Sequence, residues 1–497
     1  MSNVIVMDPS VPRKSESNED PRRRFPIDVQ LPALPTMAAI AWRAIDAYNH
    51  PPTLFALGTT PVRIVGGKEE PVSAQALTVD SMSHASARSA WWYKMSEKKG
   101  EIEQFPLERV MKDMLAHPNP PLPPLTRITQ APMFGEDGSL SVQPGYNPRT
   151  GHYYVANGLQ TRLPNASPSA SDVRDARSLI LDDFLGDFPF ATETDRTHAL
   201  SLLLNPFVRS MIDGPTPMYL IEAPSAGTGK GLLAHMLMLP ALGGPPTLMP
   251  PSAQEEETRK RLMATVMSLP SAVLLDNVAE SLDSPSLAAI LTASTWTDRV
   301  LGSSNVRTIP ITSTWIATGN NPSLSREMAR RVIKIRLDAK SERPEDRKGF
   351  RHRRLNRWAT EHRADLVSAC LTLVQAWIAS GKPLSEDVLG SYESWAELHG
   401  GLLRTIGATG FLANRTSDDN IVVSDDAAWA SLTEVWWDRF RDREVSAADL
   451  YPIAMKIPEF PITGTNDAGM KIAFGRALRK LRDRIFGDRQ ITVGPVK

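Results

Sequence analysis

Tyr219-Leu220-Ile221-Glu222-Ala223-Pro224-Ser225-Ala226-Gly227-Thr228-Gly229-Lys230-Gly231-Leu232 decides how this chain is read. An apolar, strand-like run breaks into glycines and a lysine and then becomes helical. Such a turn points successive backbone N–H groups into one concavity, its glycines let the backbone approach closely, and the following helix adds a positive N-terminal dipole. Pro224 to Leu232 is therefore expected to cradle nucleotide phosphates, with Lys230 on the β and γ phosphates. The pattern G-x-x-x-x-G-K-[ST] is met imperfectly at both ends. Pro224 stands where the first glycine is expected, and Gly231 replaces the hydroxyl residue that ligates Mg²⁺. Thr228 or a water is expected to take over that ligand position.

A second apolar strand, Ser271-Ala-Val-Leu-Leu-Asp-Asn277, ends in an acid about 45 residues later. A buried parallel strand of this kind delivers a carboxylate to its C-terminal end, and Asp276 is expected to hold the Mg²⁺ shell opposite Lys230. Asn277 follows where a second carboxylate would polarise the attacking water, so Glu280 is the substitute candidate. A third strand, Thr314-Trp-Ile-Ala-Thr-Gly-Asn-Asn-Pro322, ends in amides. Asn320, with Asn321 next, is placed to orient water by hydrogen bonding without charge. Arg330 and Arg331 then precede a further β-rich run and offer the multi-donor fork that suits phosphate.

Taken together, these four signals resemble the AAA+ ATPases, and within them the superfamily III-like helicases of phages, plasmids and integrative elements. The resemblance extends over roughly Pro26 to Lys497 and is tightest from Tyr219 to Asp338. Leu274-Leu-Asp-Asn-Val278, Trp296-Thr-Asp-Arg-Val-Leu-Gly302, Thr318-Gly-Asn-Asn-Pro322 and Ala329-Arg-Arg-Val332 look like the group's Walker B, pre-sensor, sensor 1 and arginine-finger regions. The resemblance implies ATP and Mg²⁺ as cofactors. It also implies a homo-oligomeric ring, expected to be a hexamer, in which Arg330 or Arg331 acts on the neighbouring subunit's nucleotide. In these helicases a hairpin between the acidic and amide strands grips single-stranded DNA in the pore. Here the β-prone runs around Gly302-Ser-Ser-Asn305 would form it, with Asn305 and Arg307 on the phosphate backbone and Arg299 at its base. Family members often carry a fused primase or polymerase domain. None is recognisable here, so a stand-alone helicase served by a separate primase is expected.

The expected fold class is α/β: a P-loop core with a parallel sheet sandwiched by helices, an α/β N-terminal domain and a winged-helix-like C-terminal domain. The boundaries read as a disordered tail over 1–25, the N-terminal domain over 26–171 and a helical collar or linker over 172–214 with Thr194 as a helix N-cap. The ATPase core follows over 215–340, a helical lid region over 341–423 and the basic domain over 424–497. In the lid region Arg347 or Arg351 would complete the phosphate shell. In the last domain Lys471, Arg476, Arg479, Lys480, Arg482 and Arg484 line a helix suited to phosphates or a groove, and Arg476, Arg479 and Lys480 are the principal DNA candidates.

Composition sets bounds on these readings. At 497 residues, with 41% hydrophobic and 23% charged residues, the chain has the balance of a soluble globular protein of several domains. One cysteine, Cys370, rules out an intramolecular disulfide framework and a multi-cysteine zinc site. That usage, a polar N-terminus and the lack of a run of about 18 apolar residues point to a cytoplasmic protein without membrane contact. Net charge is zero, so single-stranded or forked DNA must be met by local basic patches. Two other classes fit the same residues: an ATP-switched origin-binding or helicase-loading factor, and a degenerate scaffold made credible by Gly231 and Asn277.

Overall fold

The computed structural model describes residues 20–31, 33–66, 72–252, 254–278, 281–299, 306–341, 343–414, 424–458, 460–462, 466–481, 485–486 and 489–491. The chain divides into two compact units, one built from residues up to Thr126 and the other from Arg127 onward.

In the first unit, helices Leu34–Tyr48, Val79–Ser89 and Glu108–Leu115 close over a core of Met37, Trp42, Ile45, Met82, Trp92 and Met114. Two three-stranded sheets accompany them. The helix Val79–Ser89 gives way to a strand over Trp91–Ser96. Aromatic Trp91-Trp92-Tyr93 suits a half-buried pleated surface better than a helix. The Pro21-Arg-Arg-Arg24 run, within the segment expected as a disordered tail, forms a turn of 3₁₀ helix. Arg22 reaches Asp20 and Glu103, Arg23 reaches Glu101, and both guanidinium groups lie over the Trp91 ring.

The second unit is organised by a five-stranded, wholly parallel sheet. Its strands are β1 (Met218–Ala223), β2 (Thr247–Leu248), β3 (Ala272–Val278), β4 (Thr314–Asn320) and β5 (Val332–Arg336), in spatial order β2-β3-β4-β1-β5. β1 is buried at every position, as suits a mostly apolar central parallel strand, and its one charged residue, Glu222, is paired with Arg336. This arrangement puts the amide-tipped β4 between β1, which enters the glycine loop, and the acidic strand β3, with all C-terminal ends on one edge. Ligands of open parallel sheets are held at that edge.

Helices α1 (Glu193–Val208), α2 (Lys230–Leu242) and α3 (Arg363–Ala379) pack with this sheet in one hydrophobic core running from Ala131 to Ile406. Residues 127–171 fall in the second unit rather than the first, and the segment expected as a collar or linker supplies α1, which is buried along most of its length. The segment 341–423 contributes α3, whose Leu366, Cys370, Leu373 and Trp377 are all buried. Burial pushes the Cys370 thiol well up, away from thiolate chemistry. Thr192, not Thr194, caps α1. Its side chain accepts from Asp195 N while the Asp195 carboxylate accepts from Thr192 N, a reciprocal box that a cap at Thr194 would lack.

A buried polar chain fixes β1 against β4. Tyr219 OH and Ser201 Oγ lie 2.9 Å apart, Ser201 Oγ lies 3.0 Å from His399 Nδ1, and His399 Nε2 lies 3.2 Å from Asn205 Oδ1. The Asn205 amide in turn donates to Thr314 Oγ1 at 2.8 Å. With Asn205 Oδ1 able only to accept, His399 carries its proton on Nε2 and accepts from Ser201. Burial pushes His399 down to about 3. The unfolded chain therefore takes up a proton below about pH 6.5 that the fold refuses, and stability falls as pH drops from there, by roughly 2 kcal/mol between pH 6.5 and 5. Melting temperatures at pH 7 and pH 5 should show this loss, and His399→Asn should flatten it. Equal pH slopes in both proteins would contradict the assignment.

The C-terminal segment forms helices Ser424–Phe440, Ala447–Ala454 and α4 (Asp467–Lys480), then an antiparallel pair, Ile485–Phe486 with Arg489–Gln490. They share a core of Trp429, Leu432, Leu450, Tyr451 and Phe474. Among the described residues no helix is long and apolar enough to cross a membrane.

Candidate active site

The loop between β1 and α2 needs its glycines. Gly227 and Gly229 have φ of 76° and 98°, a region that strains any residue with a Cβ. A Cβ on Gly227 would come within 2.8 Å of Glu345 Oε2, and one on Gly229 within 3.7 Å of the Phe188 ring. The loop also bonds to itself, for Ser225 O accepts from Thr228 Oγ1 at 2.9 Å and from Lys230 Nζ at 3.1 Å. Lys230 is 9% exposed and donates to Asn320 Oδ1 at 2.6 Å. Burial lowers its pKa and the nearby Asp276 charge opposes that shift, so the ammonium is held in a partly desolvated position.

β3 delivers Asp276 through an irregularity. Its pairing with β4 shifts register between Leu275 and Val278, and Asn277 adopts φ of 56°. Such bulges re-aim side chains at the rims of sites. Thr318 on β4 ties the two tips together: its hydroxyl donates to Asp276 Oδ1 at 2.5 Å and accepts from Asn277 N at 2.8 Å. Gly319 permits the close approach, since a Cβ there would meet Pro322 Cγ at 2.8 Å and Val278 O at 3.1 Å. A Cβ on Gly231 would lie 3.8 Å from Asp276 Oδ1, ordinary contact with no clash. Lys230, Asp276 and Asn320 thus converge on one edge. Among the described residues no cluster of three or more His, Cys, Asp or Glu side chains assembles a metal cage. Glu280 lies outside the described residues.

The two arginines expected to act across a ring are not equivalent. Arg331 is tied down, donating to Glu327 O at 2.6 Å and pairing with the Glu327 carboxylate at 3.2 Å. The Arg330 side chain is exposed and makes no hydrogen bond or ion pair among the described residues. Arg336, at the end of β5, donates to Glu222 Oε1 at 3.0 Å and Asn321 Oδ1 at 2.9 Å, which braces Asn321 beside the loop. Arg347 donates to Asp187 O and Arg351 to Asp183 Oδ1.

Between β3 and β4, Thr295–Arg299 and Val306–Pro310 pair antiparallel as the sequence predicted. Arg299 at the hairpin base is exposed, while Asp298 is engaged by Arg259 through two bonds of 2.7 and 2.9 Å. Arg307 is half-buried, and that burial lowers its pKa. Asn305 and the hairpin tip fall outside the described residues, as do Arg482 and Arg484. Arg476 and Arg479 are exposed on α4.

Sequence reasoning singled out none of Thr318, Gly319, Phe188, Glu345 or Arg336. Thr318 and Gly319 stood inside the amide-strand motif, where their small size was the available signal. The others arrive from distant segments and had none.

No family model matches the chain, and no characterised protein matches it by sequence. Among solved structures, JCV helicase bound to a thiazolopyridine acetamide aligns at 16% identity over 48% of this chain and 67% of that one, with a TM-score of 0.22. The apo A form of the NrS-1 C-terminal region aligns at 11% identity over 84% and 88%, with a TM-score of 0.30. Likenesses this distant decide neither fold nor function.

Proposed function

We propose that this protein is an ATP-dependent DNA helicase of the superfamily III-like AAA+ class, a ring that translocates on single-stranded DNA in mobile-element replication. One observation carries the reading: the convergence of Lys230, Asp276 and Asn320 at the C-terminal edge of adjacent parallel strands, with Lys230 already bonded to Asn320. Lys230 supplies the charge opposite the β and γ phosphates, and the loop N–H groups supply the cradle. Asn320 orients the attacking water. Arg330 enters the site of a neighbouring copy, for which its freedom suits it better than the tethered Arg331. Arg299 and Arg307 meet the translocating strand, and α4 with Arg476, Arg479 and Lys480 meets DNA as part of a winged-helix-like domain.

The residues present fit Mg²⁺ bound with a nucleotide. That ion takes one or two carboxylates, keeps several waters and neutralises phosphate charge during transfer. Asp276 is the carboxylate, oriented by Thr318. Thr228 donates its hydroxyl hydrogen to Ser225 O and keeps oxygen lone pairs for an ion, so Thr228 or a water takes the place of the missing loop hydroxyl. Gly231→Ser places an oxygen beside Asp276 where space exists. It should leave the melting temperature nearly unchanged and lower the Mg²⁺ concentration needed for half-maximal nucleotide binding, by titration with a fluorescent ATP analogue. An unchanged Mg²⁺ requirement would remove Asp276 from the metal position.

Unwinding of a labelled fork with ATP and with a non-hydrolysable analogue tests the function. Strand separation with ATP alone supports the motor. Nucleotide-gated binding without unwinding supports the loading factor, and neither activity supports the scaffold.

A further inference from the structure

From Arg347 to Thr360 the chain carries Arg347, Lys348, Arg351, Arg353, Arg354 and Arg357 with no acid, in a protein whose net charge is zero. This segment folds around a cleft of about 530 Å³ lined by Arg351, Arg353, Arg354, Arg357, His352, Trp358 and one acid, Glu361, so that four arginines face a single carboxylate. The wall is built rather than loose. His352 stacks on Trp358 with centroids 4.0 Å apart, and Trp358 stacks on His362 at 4.7 Å. Asp183 Oδ1 accepts from His352 Nε2 at 3.1 Å and from Arg351 at 3.2 Å, anchoring the wall to the turn that closes Leu179–Phe184. Arg357 is held by Glu361 at 2.8 Å. Arg353 and Arg354 are exposed, and their side chains make no hydrogen bond or ion pair among the described residues.

We infer that this cleft binds the phosphodiester backbone of single-stranded DNA, as a second contact apart from the hairpin. This rests on the nucleic-acid reading above. Like charges gathered in a concavity focus a positive potential that water alone does not neutralise, and guanidinium forks match phosphate oxygens. Trp358, the one indole of the lining, is committed to two histidine rings rather than to a base. The ligand is therefore recognised by its phosphates, in a sequence-independent manner, and not as a mononucleotide held by its base.

The test is binding of a fluorescein-labelled oligothymidine to the full chain across a salt series, with a duplex of equal length in parallel. R353A/R354A should weaken single-strand binding about tenfold and reduce the slope of log K against log salt by about 1.4, the counterion release of two phosphate contacts. R353K/R354K should keep most of the slope, and nucleotide binding and melting temperature should not move. An unchanged slope in the alanine variant overturns the cleft assignment alone, while a larger loss on the duplex overturns its single-strand character. A wild-type chain that binds neither DNA brings down the helicase reading together with the cleft.

Discussion

Lys230→Ala lowers ATP turnover by at least about 100-fold, the scale on which removal of one preorganised charge costs a phosphoryl-transfer or oxyanion site. The position of Lys230 justifies that size. It is a nearly buried cation held between Ser225 O and Asn320 Oδ1, with Asp276 close enough to oppose its desolvation. Its ammonium is thus placed before any ligand arrives, and no reorganisation is required at the moment of reaction. Alanine frees Asn320, which is exposed and can bond to water, so the fold should survive. Steady-state phosphate release together with a thermal melt checks both parts. Turnover within threefold of wild type would show that the loop is not a catalytic cradle.

Arg330→Ala leaves nucleotide affinity largely intact and reduces turnover about 1000-fold, the lower range for an arginine supplied to a phosphoryl-transfer site. Its side chain is exposed and uncommitted, so truncation costs the monomer little. Arg331→Ala differs in kind, because it removes the bonds to Glu327 and should lower stability as well as turnover. Mixing supplies the decisive readout. Where a Lys230→Ala subunit lends its Arg330 to an Arg330→Ala neighbour, an equimolar mixture of the two inactive proteins recovers measurable turnover. Absence of any recovery in rings shown to be mixed would contradict action across the interface.

Three strands of the parallel core were legible because they are largely apolar and each ends in a residue with a chemical signature: the glycine loop, Asp276, and Asn320. Strand order was not legible, since nothing local says that β4 lies between β1 and β3. The same limit hid Thr318, whose role exists only once the Asp276 and Asn320 tips are side by side. Where α1 and α3 pack was not legible either, because their largely apolar sequences suit a collar, a lid or a core equally well. Tertiary packing chose the core. Gly231, which looked in sequence like a lost metal ligand, has a counterpart in space: its missing side chain leaves an accommodating gap beside Asp276.

Phosphate release from ATP by the full chain, with Mg²⁺ and with or without single-stranded DNA, tests the central claim most directly. The account predicts Mg²⁺-dependent turnover that rises when the strand is added and vanishes in Lys230→Ala. Release at the Lys230→Ala background, with the strand present and the wild-type protein folded, would contradict it.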